Sequence, residues 1–346
     1  MKSLILNGKY YSPFELKEFA NSKIQSSCSN WESSIYKFIS DWISDRNIFE
    51  FHTSGSTSEP KLISFSRNDL IASAKLTEST FNLLKGMNAL LVLPADFVAA
   101  KMMIVRSFVT EMNLILQEPT SNPFENISNI DFCAVVPLQL ENGLKYNLDA
   151  VKNIKIILVG GAKTISQNIH LENIFETYGM TETLTHVAIR KYNGKHFYAV
   201  GNNSFSKDER DCLIIKSPHL NKITITNDIV ELISEKEFNL LGRFDTVINS
   251  GGVKMFPELV ENKLSELLNS KKYFISSIED EILGRKVVLV LESNSLTQIE
   301  SDTILESCNK YLNKFEMPRK IITIKGFIYT NSGKIKRMET LNSVNL

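Results

Sequence analysis

The chain has 346 residues, of which 43% are hydrophobic and 23% charged, the composition of an ordinary globular protein and not of a disordered or fibrous one. That length exceeds what one compact core usually fills, so two domains, or a large one with an appendage, are expected. Lys+Arg and Asp+Glu both number 39, and a chain with no net field to gather polyanions is a poor candidate for binding nucleic acid or a membrane surface.

The N-terminus offers only a three-residue apolar run, Leu4 to Leu6, too short for a secretory leader. Asn88–Leu93 reads as a strand and Phe97–Val109 as a buried helix. Pro94, Asp96, Lys101 and Arg106 interrupt this apolar stretch, so membrane insertion is not expected. Asn113–Leu116, Cys133–Val136 and Ile154–Val159 read as further strands. Runs rich in Val, Ile and Leu imply strands covered on both faces, hence an α/β fold with a mainly parallel sheet. From 211 to 241 the segments 212–216, 222–226, 229–233 and 238–241 are short and partly alternating, which predicts an antiparallel meander. After Arg243, Pro257 opens a helix; a strand at 286–291, a helix at about 297–313 and a strand at 320–324 follow, enough for a small α+β domain. The expected division is therefore 1–243 for a large domain and 244–346 for a small C-terminal lid. Cys28, Cys133, Cys212 and Cys308 are too far apart for a zinc or redox motif and read as reduced thiols of a cytoplasmic protein.

Four segments carry chemistry. His52–Lys61 combines Thr53, Ser54, Gly55, Ser56, Thr57 and Lys61, the hydroxyls, amides and ammonium that an oligophosphate needs. It lacks the paired ending of a Walker loop, and a plain polar turn is the competing reading. In Glu176–Thr183, Tyr178 offers a flat face for a base, Gly179 follows it, Thr181 offers a hydroxyl for a phosphate and Glu182 a carboxylate for magnesium. A capped helix start is the competing reading. Asp228 could accept ribose hydroxyls and Arg243 could donate to the same sugar or a phosphate. Gly251 and Gly252, followed by Lys254, let backbone pass close to a ligand. Thr330–Arg337 contains Lys334, which composition alone would assign to a frayed basic tail.

In order and wording these segments resemble the signatures of the adenylate-forming superfamily, which includes acyl-CoA synthetases, firefly luciferase and peptide-synthetase adenylation domains. The matches are Thr-Ser-Gly-Ser-Thr-x-x-Pro-Lys at 53–61, Tyr-Gly-x-Thr-Glu at 178–182, Gly-Arg-x-Asp with Gly-x-Lys at 242–254, and Ser-Gly-Lys-Ile at 332–335. The turn holding Gly160 and Gly161 also agrees, and the likeness spans about residues 50–338. Ser58 stands where the family usually has glycine. Only about fifty residues precede the phosphate loop, so the N-terminal subdomain is expected to be shortened. Leu93-Pro94, Ala99–Met103 and Thr181–His186 resemble, more narrowly, the compact o-succinylbenzoate–CoA ligases of menaquinone biosynthesis.

The resemblance implies an enzyme using ATP, Mg2+ and coenzyme A on a small carboxylic acid. The phosphate loop, Gly161, Tyr178, Gly179, Asp228 and Arg243 would bind ATP. Glu182 would hold the metal, Thr181 the α-phosphate, and Lys334 would bridge carboxylate and α-phosphate. Asp245 would be the hinge between half-reactions, with Gly251, Gly252 and Lys254 lining the coenzyme A channel. A second substrate carboxylate requires a cation or His donor, for which Lys101, Arg106, His186 and Arg190 are candidates, Lys101 and His186 being the ones assigned to the acyl pocket. Three readings compete: a CoA ligase for another aromatic or medium-chain acid, a stand-alone adenylation domain serving a carrier, and a nucleotide-binding regulatory or inactive homologue. A homodimer is compatible with the chain, although no residue points to it.

Overall fold

The computed structural model describes residues 3–26, 29–53, 61–161, 171–268, 271–329 and 335–344. A short hairpin, β1 (Leu4–Leu6) and β2 (Lys9–Tyr11), leads into α1 (Pro13–Gln25), whose first turn is closed by a Ser12–Glu15 capping box. Helix α2 (Asn30–Ile43) presents Ile35, Phe38, Ile39 and Trp42 at helical spacing to the core. The hairpin β3 (Ile48–His52) and β4 (Leu62–Ser66) follows, and a Ser66–Asp69 capping box starts α3 (Arg67–Phe81).

The central layer comes next: β5 (Asn88–Leu91), α4 (Val98–Thr110), β6 (Asn113–Leu116), β7 (Phe132–Val135), α5 (Pro137–Tyr146), α6 (Leu148–Asn153), β8 (Ile156–Val159) and β9 (Ile174–Gly179). Strands β1, β6, β5, β7, β8 and β9 pair in that order, every neighbouring pair parallel. Ala89 and Leu91 enter the core beneath α4, whereas Leu90 and Val92 enter the core beneath α5 and α6. A period of two with both faces buried is what a near-continuous apolar run records. The strands expected between 88 and 159 lie within two residues of their predicted places.

The sheet then turns antiparallel through β10 (His186–Lys191), β11 (Phe197–Ala199), β12 (Ser204–Lys207), β13 (Cys212–Ser217), β14 (Lys222–Ser234) and β15 (Glu237–Arg243). Among the described residues thirteen strands share this sheet. One expectation is corrected: 222–226 and 229–233 are not two strands but the two ends of β14. Asn227 and Asp228 look like a turn in sequence, yet the backbone continues, with Asp228 N–H held by Thr226 Oγ1 and a register slip between Ile229 and Val230 absorbing the irregularity.

Beyond Arg243, β16 (Ile248–Ser250) and β17 (Val253–Met255) form a hairpin, then α7 (Pro257–Leu264), β18 (Tyr273–Asp280), β19 (Gly284–Glu292), α8 (Gln298–Cys308), β20 (Lys320–Ile324) and α9 (Arg337–Asn342) complete the chain. Strand β19 pairs antiparallel with β18 and parallel with β20. Val260, Leu264, Ile275, Leu289 and Cys308 build a core of their own here, as the α+β reading of this region requires. No helix among the described residues is long and apolar enough to cross a membrane.

Candidate active site

Strands β3 and β4 lead into and out of the expected phosphate segment. Phe49, Phe51, Ile63 and Phe65 alternate into the core, so the hairpin is fixed by its inner face. Its neck is closed twice between Thr53 and Lys61, by Thr53 N–H to the Lys61 carbonyl and by Lys61 N–H to Thr53 Oγ1, both at 2.9 Å. Ser54, Gly55, Ser56, Thr57 and Ser58 lie outside the described residues. At the base of the hairpin Arg67 donates to the carbonyls of Trp42, Ser44 and Arg46 and lies over the Trp42 ring at 4.6 Å. Its guanidinium thus caps the C-terminal end of α2.

A second edge of the site is the turn after β9. Gly179 is required there: a Cβ would sit 2.3 Å from the Thr185 carbonyl, since β9 and β10 approach at their joint. Thr181–Thr183 form a single 3-10 turn. Leu184 follows at φ 63°, ψ −37°, and Thr185 N–H reaches the Thr183 carbonyl at 2.7 Å. This is a γ-turn of the rarer, strained hand, on a buried non-glycine residue. Thr183 Oγ1 pins it through the carbonyls of Met180 and Thr185. Thr181 is buried and Glu182 half-buried. Among the described residues no donor or cation is paired with the Glu182 carboxylate, so it is a suitable single carboxylate for a magnesium ion that keeps water and phosphate ligands. Gly160 abuts Thr177 Oγ1 at the end of β8, and Gly161 adopts φ 88°. These turns lie outside the C-terminal ends of parallel strands, where open α/β sheets bind ligands.

The third edge joins residues fifty and more positions apart. Tyr178 donates its hydroxyl to Asp228 Oδ2 at 2.5 Å, and Arg243, directly opposite Asp228 across β14 and β15, donates to Oδ1 at 3.3 Å. Arg243 also grips both oxygens of Asp245 at 2.9 and 3.0 Å. Burial opposes the Arg243 charge, but the Asp245 hydrogen bond and the Asp228 charge outweigh it and raise the pKa. Burial, then Asp228, holds the Tyr178 phenol well above its ordinary value. The Tyr178 ring is only 8% exposed, with Phe238 at 5.2 Å and Phe197 at 5.9 Å.

The acyl-pocket candidates separate. Arg106 is fully buried and donates to Thr77 Oγ1 at 3.2 Å and Thr185 Oγ1 at 2.6 Å. His186, equally buried, lies against the same two hydroxyls at 3.4 and 3.3 Å. Burial first, then the charge of Arg106, pushes the imidazole down to about 3, and burial brings the guanidinium down to about 10. Among the described residues no carboxylate forms an ion pair with Arg106. Lys101 instead lies over the rings of Phe51 and Phe38 at 5.1 and 5.7 Å, with no partner in common with His186. Arg190 is paired with Glu176 at 2.7 Å. Sequence reasoning singled out Arg106 only as one of four candidates; its burial was the missing signal.

Between β16 and β17, Gly251 and Gly252 adopt φ 57° and 82°, the two left-handed positions of a tight hairpin turn. Lys254 is exposed beside them. A cavity of about 180 Å³ adjoins this turn, lined by Ser250, Gly251, Leu283, Lys314, Phe315 and Arg319 among others. Lys334 lies outside the described residues; Arg337, three positions on, is anchored to Glu261 at 2.8 Å. The described cysteines are buried, burial pushing Cys133 up to about 12 and Cys308 up to about 11, so neither offers a ready thiolate.

Comparison with known proteins bears on this arrangement. The profile of the AMP-binding enzyme family matches residues 19–205. A 2-succinylbenzoate–CoA ligase of Staphylococcus epidermidis is 24% identical over 324 residues, covering 82% of this chain and 67% of that protein. The structure of an acyl-CoA synthetase (AMP-forming)/AMP-acid ligase II-like protein from Dyadobacter fermentans shares 30% identity, with 94% of this chain and 98% of that one covered at a TM-score of 0.58. The Bacillus subtilis o-succinylbenzoate coenzyme A synthetase, solved with ATP and a magnesium ion, superposes with a TM-score of 0.73 at 19% identity, over 98% of this chain and 84% of that one.

Proposed function

The chain belongs to the AMP-binding enzyme family, and from that premise we propose that it is an ATP-dependent acid–CoA ligase acting through an acyl-adenylate, with o-succinylbenzoate as the acid. The observation that carries the reading is the corner where Tyr178, Asp228 and Arg243 converge beside the Thr181–Thr183 turn. In it, a carboxylate suited to ribose hydroxyls is bonded to Tyr178, which precedes a buried threonine by three positions and an unpaired glutamate by four.

In the first half-reaction the substrate carboxylate attacks the α-phosphate and pyrophosphate leaves. Positioning and charge neutralisation do most of the work in such a step. Asp228 and Arg243 fix the ribose, and Thr181 donates to the α-phosphate. Glu182 would hold magnesium, which supplies charge neutralisation to the phosphates. Lys334 brings an ammonium to the carboxylate and the α-phosphate. In the second half-reaction the thiol of coenzyme A attacks the activated carbonyl and AMP departs, so no protein nucleophile is needed. Rotation about Asp245 removes Lys334 and brings the Gly251–Gly252 turn to the thiol channel, with 1–243 and 244–346 moving as separate domains. The basic pair Lys314 and Arg319 beside that turn suits a phosphorylated carrier.

The buried guanidinium of Arg106 supports an acid with a second carboxylate, because a desolvated cation without a counter-charge gains most from a ligand that brings one. Buried reduced thiols support a cytoplasmic site of action. The deciding experiment follows pyrophosphate release and thioester formation with ATP, magnesium and o-succinylbenzoate, with and without coenzyme A, beside benzoate and hexanoate. Release with the dicarboxylate alone, and thioester only after coenzyme A is added, is expected. Activity confined to the other acids keeps the chemistry and removes the substrate assignment; no release with any acid removes both.

A further inference from the structure

Strand β14 has an inverted face. Ile223 and Ile225 are each 65% exposed, while Thr224 and Thr226, which alternate with them, are buried. With a side-chain period of two, Lys222, Thr224, Thr226 and Asp228 form one row on the inner face of the sheet. At one end of that row Asp228 meets Tyr178 and Arg243. At the other, Lys222 Nζ donates to the main-chain carbonyl of Glu182 at 2.9 Å and lies 5.2 Å from the centre of the Phe65 ring. Phe65 belongs to β4, so the ammonium stands where the phosphate hairpin and the Thr181–Thr183 turn come together.

Nothing nearby neutralises this cation: among the described residues Lys222 has no carboxylate partner in an ion pair, and it reaches the backbone of Glu182, not its side chain. Ser217, opposite Lys222 across β13 and β14, and Thr224, two positions along the row, each bury a hydroxyl with no hydrogen-bond partner among the described residues. A half-buried ammonium flanked by two unsatisfied hydroxyls is a donor-rich place that favours an anionic oxygen. We propose that Lys222 is a phosphate-binding residue for the portion of ATP that leaves as pyrophosphate. Its charge offsets the β- and γ-phosphates while the Glu182 carboxylate, on the same turn, remains free for the metal. This rests on the ligase reading above and adds to it a cation supplied by the sheet, independent of Lys61 and Lys334.

The test compares magnesium-ATP with AMP, each measured by titration calorimetry on the full chain and on Lys222→Gln, Lys222→Ala and Lys222→Arg. Gln retains a donor for the Glu182 carbonyl and removes only the charge, so it separates phosphate binding from support of the turn. The expected result is that Gln and Ala weaken ATP roughly ten- to hundredfold, the usual scale of a lost charge-assisted contact, leave AMP within about twofold, and that Arg restores ATP binding. Equal weakening of ATP and AMP would show Lys222 to be a structural prop and overturn the proposal. So would unchanged ATP affinity, or a loss confined to binding of the acid. If the unsubstituted protein binds neither nucleotide, the ligase reading fails first and the proposal with it; thermal midpoints of the variants identify any that are simply unfolded.

Discussion

Asp228 and Arg243 face one another across β14 and β15, and the same arginine clasps Asp245 two residues beyond the end of its strand. One guanidinium therefore ties the corner proposed for the ribose to the segment proposed as the hinge. Asp228→Ala removes the proposed sugar acceptor and one of the two carboxylate partners of Arg243, and is expected to raise the ATP dissociation constant roughly tenfold or more. Tyr178→Phe removes only a donor to Asp228. It should lower stability by about 1–3 kcal/mol, with ATP affinity nearly unchanged. Calorimetric titration and thermal unfolding of the two variants distinguish these outcomes, and a Tyr178→Phe protein that loses ATP as Asp228→Ala does would contradict them.

Lys334→Ala is expected to slow adenylation about a hundred- to thousandfold, the cost of one preorganised transition-state donor. Thioester formation from separately supplied acyl-adenylate should survive. Pyrophosphate release at the unsubstituted rate would remove Lys334 from the chemistry.

At Gly179 even one methyl group has nowhere to go, because the opposing atoms are backbone of Thr185 and His186. Gly179→Ala should splay β9 from β10, displace the strained Leu184 turn and reduce both melting temperature and pyrophosphate release. A variant that melts and turns over as the unsubstituted protein does would show that the two strands part readily.

His186 makes the protein sensitive to acid. Its folded-state pKa of about 3 lies below the ordinary 6.5, so the unfolded chain takes up a proton that the folded one refuses. Stability from this group is intact above pH 6.5 and declines by about 1.4 kcal/mol per pH unit below it, until pH approaches 3. His186→Gln should flatten that slope. Denaturant midpoints between pH 7 and 4 would falsify the assignment if both proteins lost stability in parallel.

Arg106→Gln deletes the buried charge but keeps a donor. The KM for o-succinylbenzoate should rise roughly ten- to hundredfold, while benzoate, with no second carboxylate, is affected little. Steady-state kinetics with both acids decide it; equal losses would mean that Arg106 only supports the fold.

The family was legible because its signature segments use particular residue types in a fixed order, and the parallel strands because both their faces are apolar. Less was readable where polar residues sit inside regular structure. Asn227 and Asp228 broke β14 on paper, although Thr226 and Arg243 satisfy their strand in three dimensions. Strand β18, with Ser276 and Ser277 at its centre, gave no apolar run to recognise, yet both serines are buried against β19. Lys101 and Arg106 are alike as letters. Only the surroundings, aromatic rings for one and two threonine hydroxyls for the other, tell their roles apart. Lys222 had no motif to announce it.

The arginine at the foot of the phosphate hairpin has a consequence for how this protein tolerates shortening. Because Arg67 spends its donors on the last carbonyls of α2 and on those of the turn after it, the second helix and the hairpin are one mechanical piece. Trimming back through α2 would take away the Trp42 carbonyl and ring and leave the guanidinium above Phe49 with only the carbonyls of Ser44 and Arg46 to hold. The N-terminal stretch is thus the mounting plate of the β3–β4 hairpin, and exchanging it for another would have to carry a new seat for that side chain.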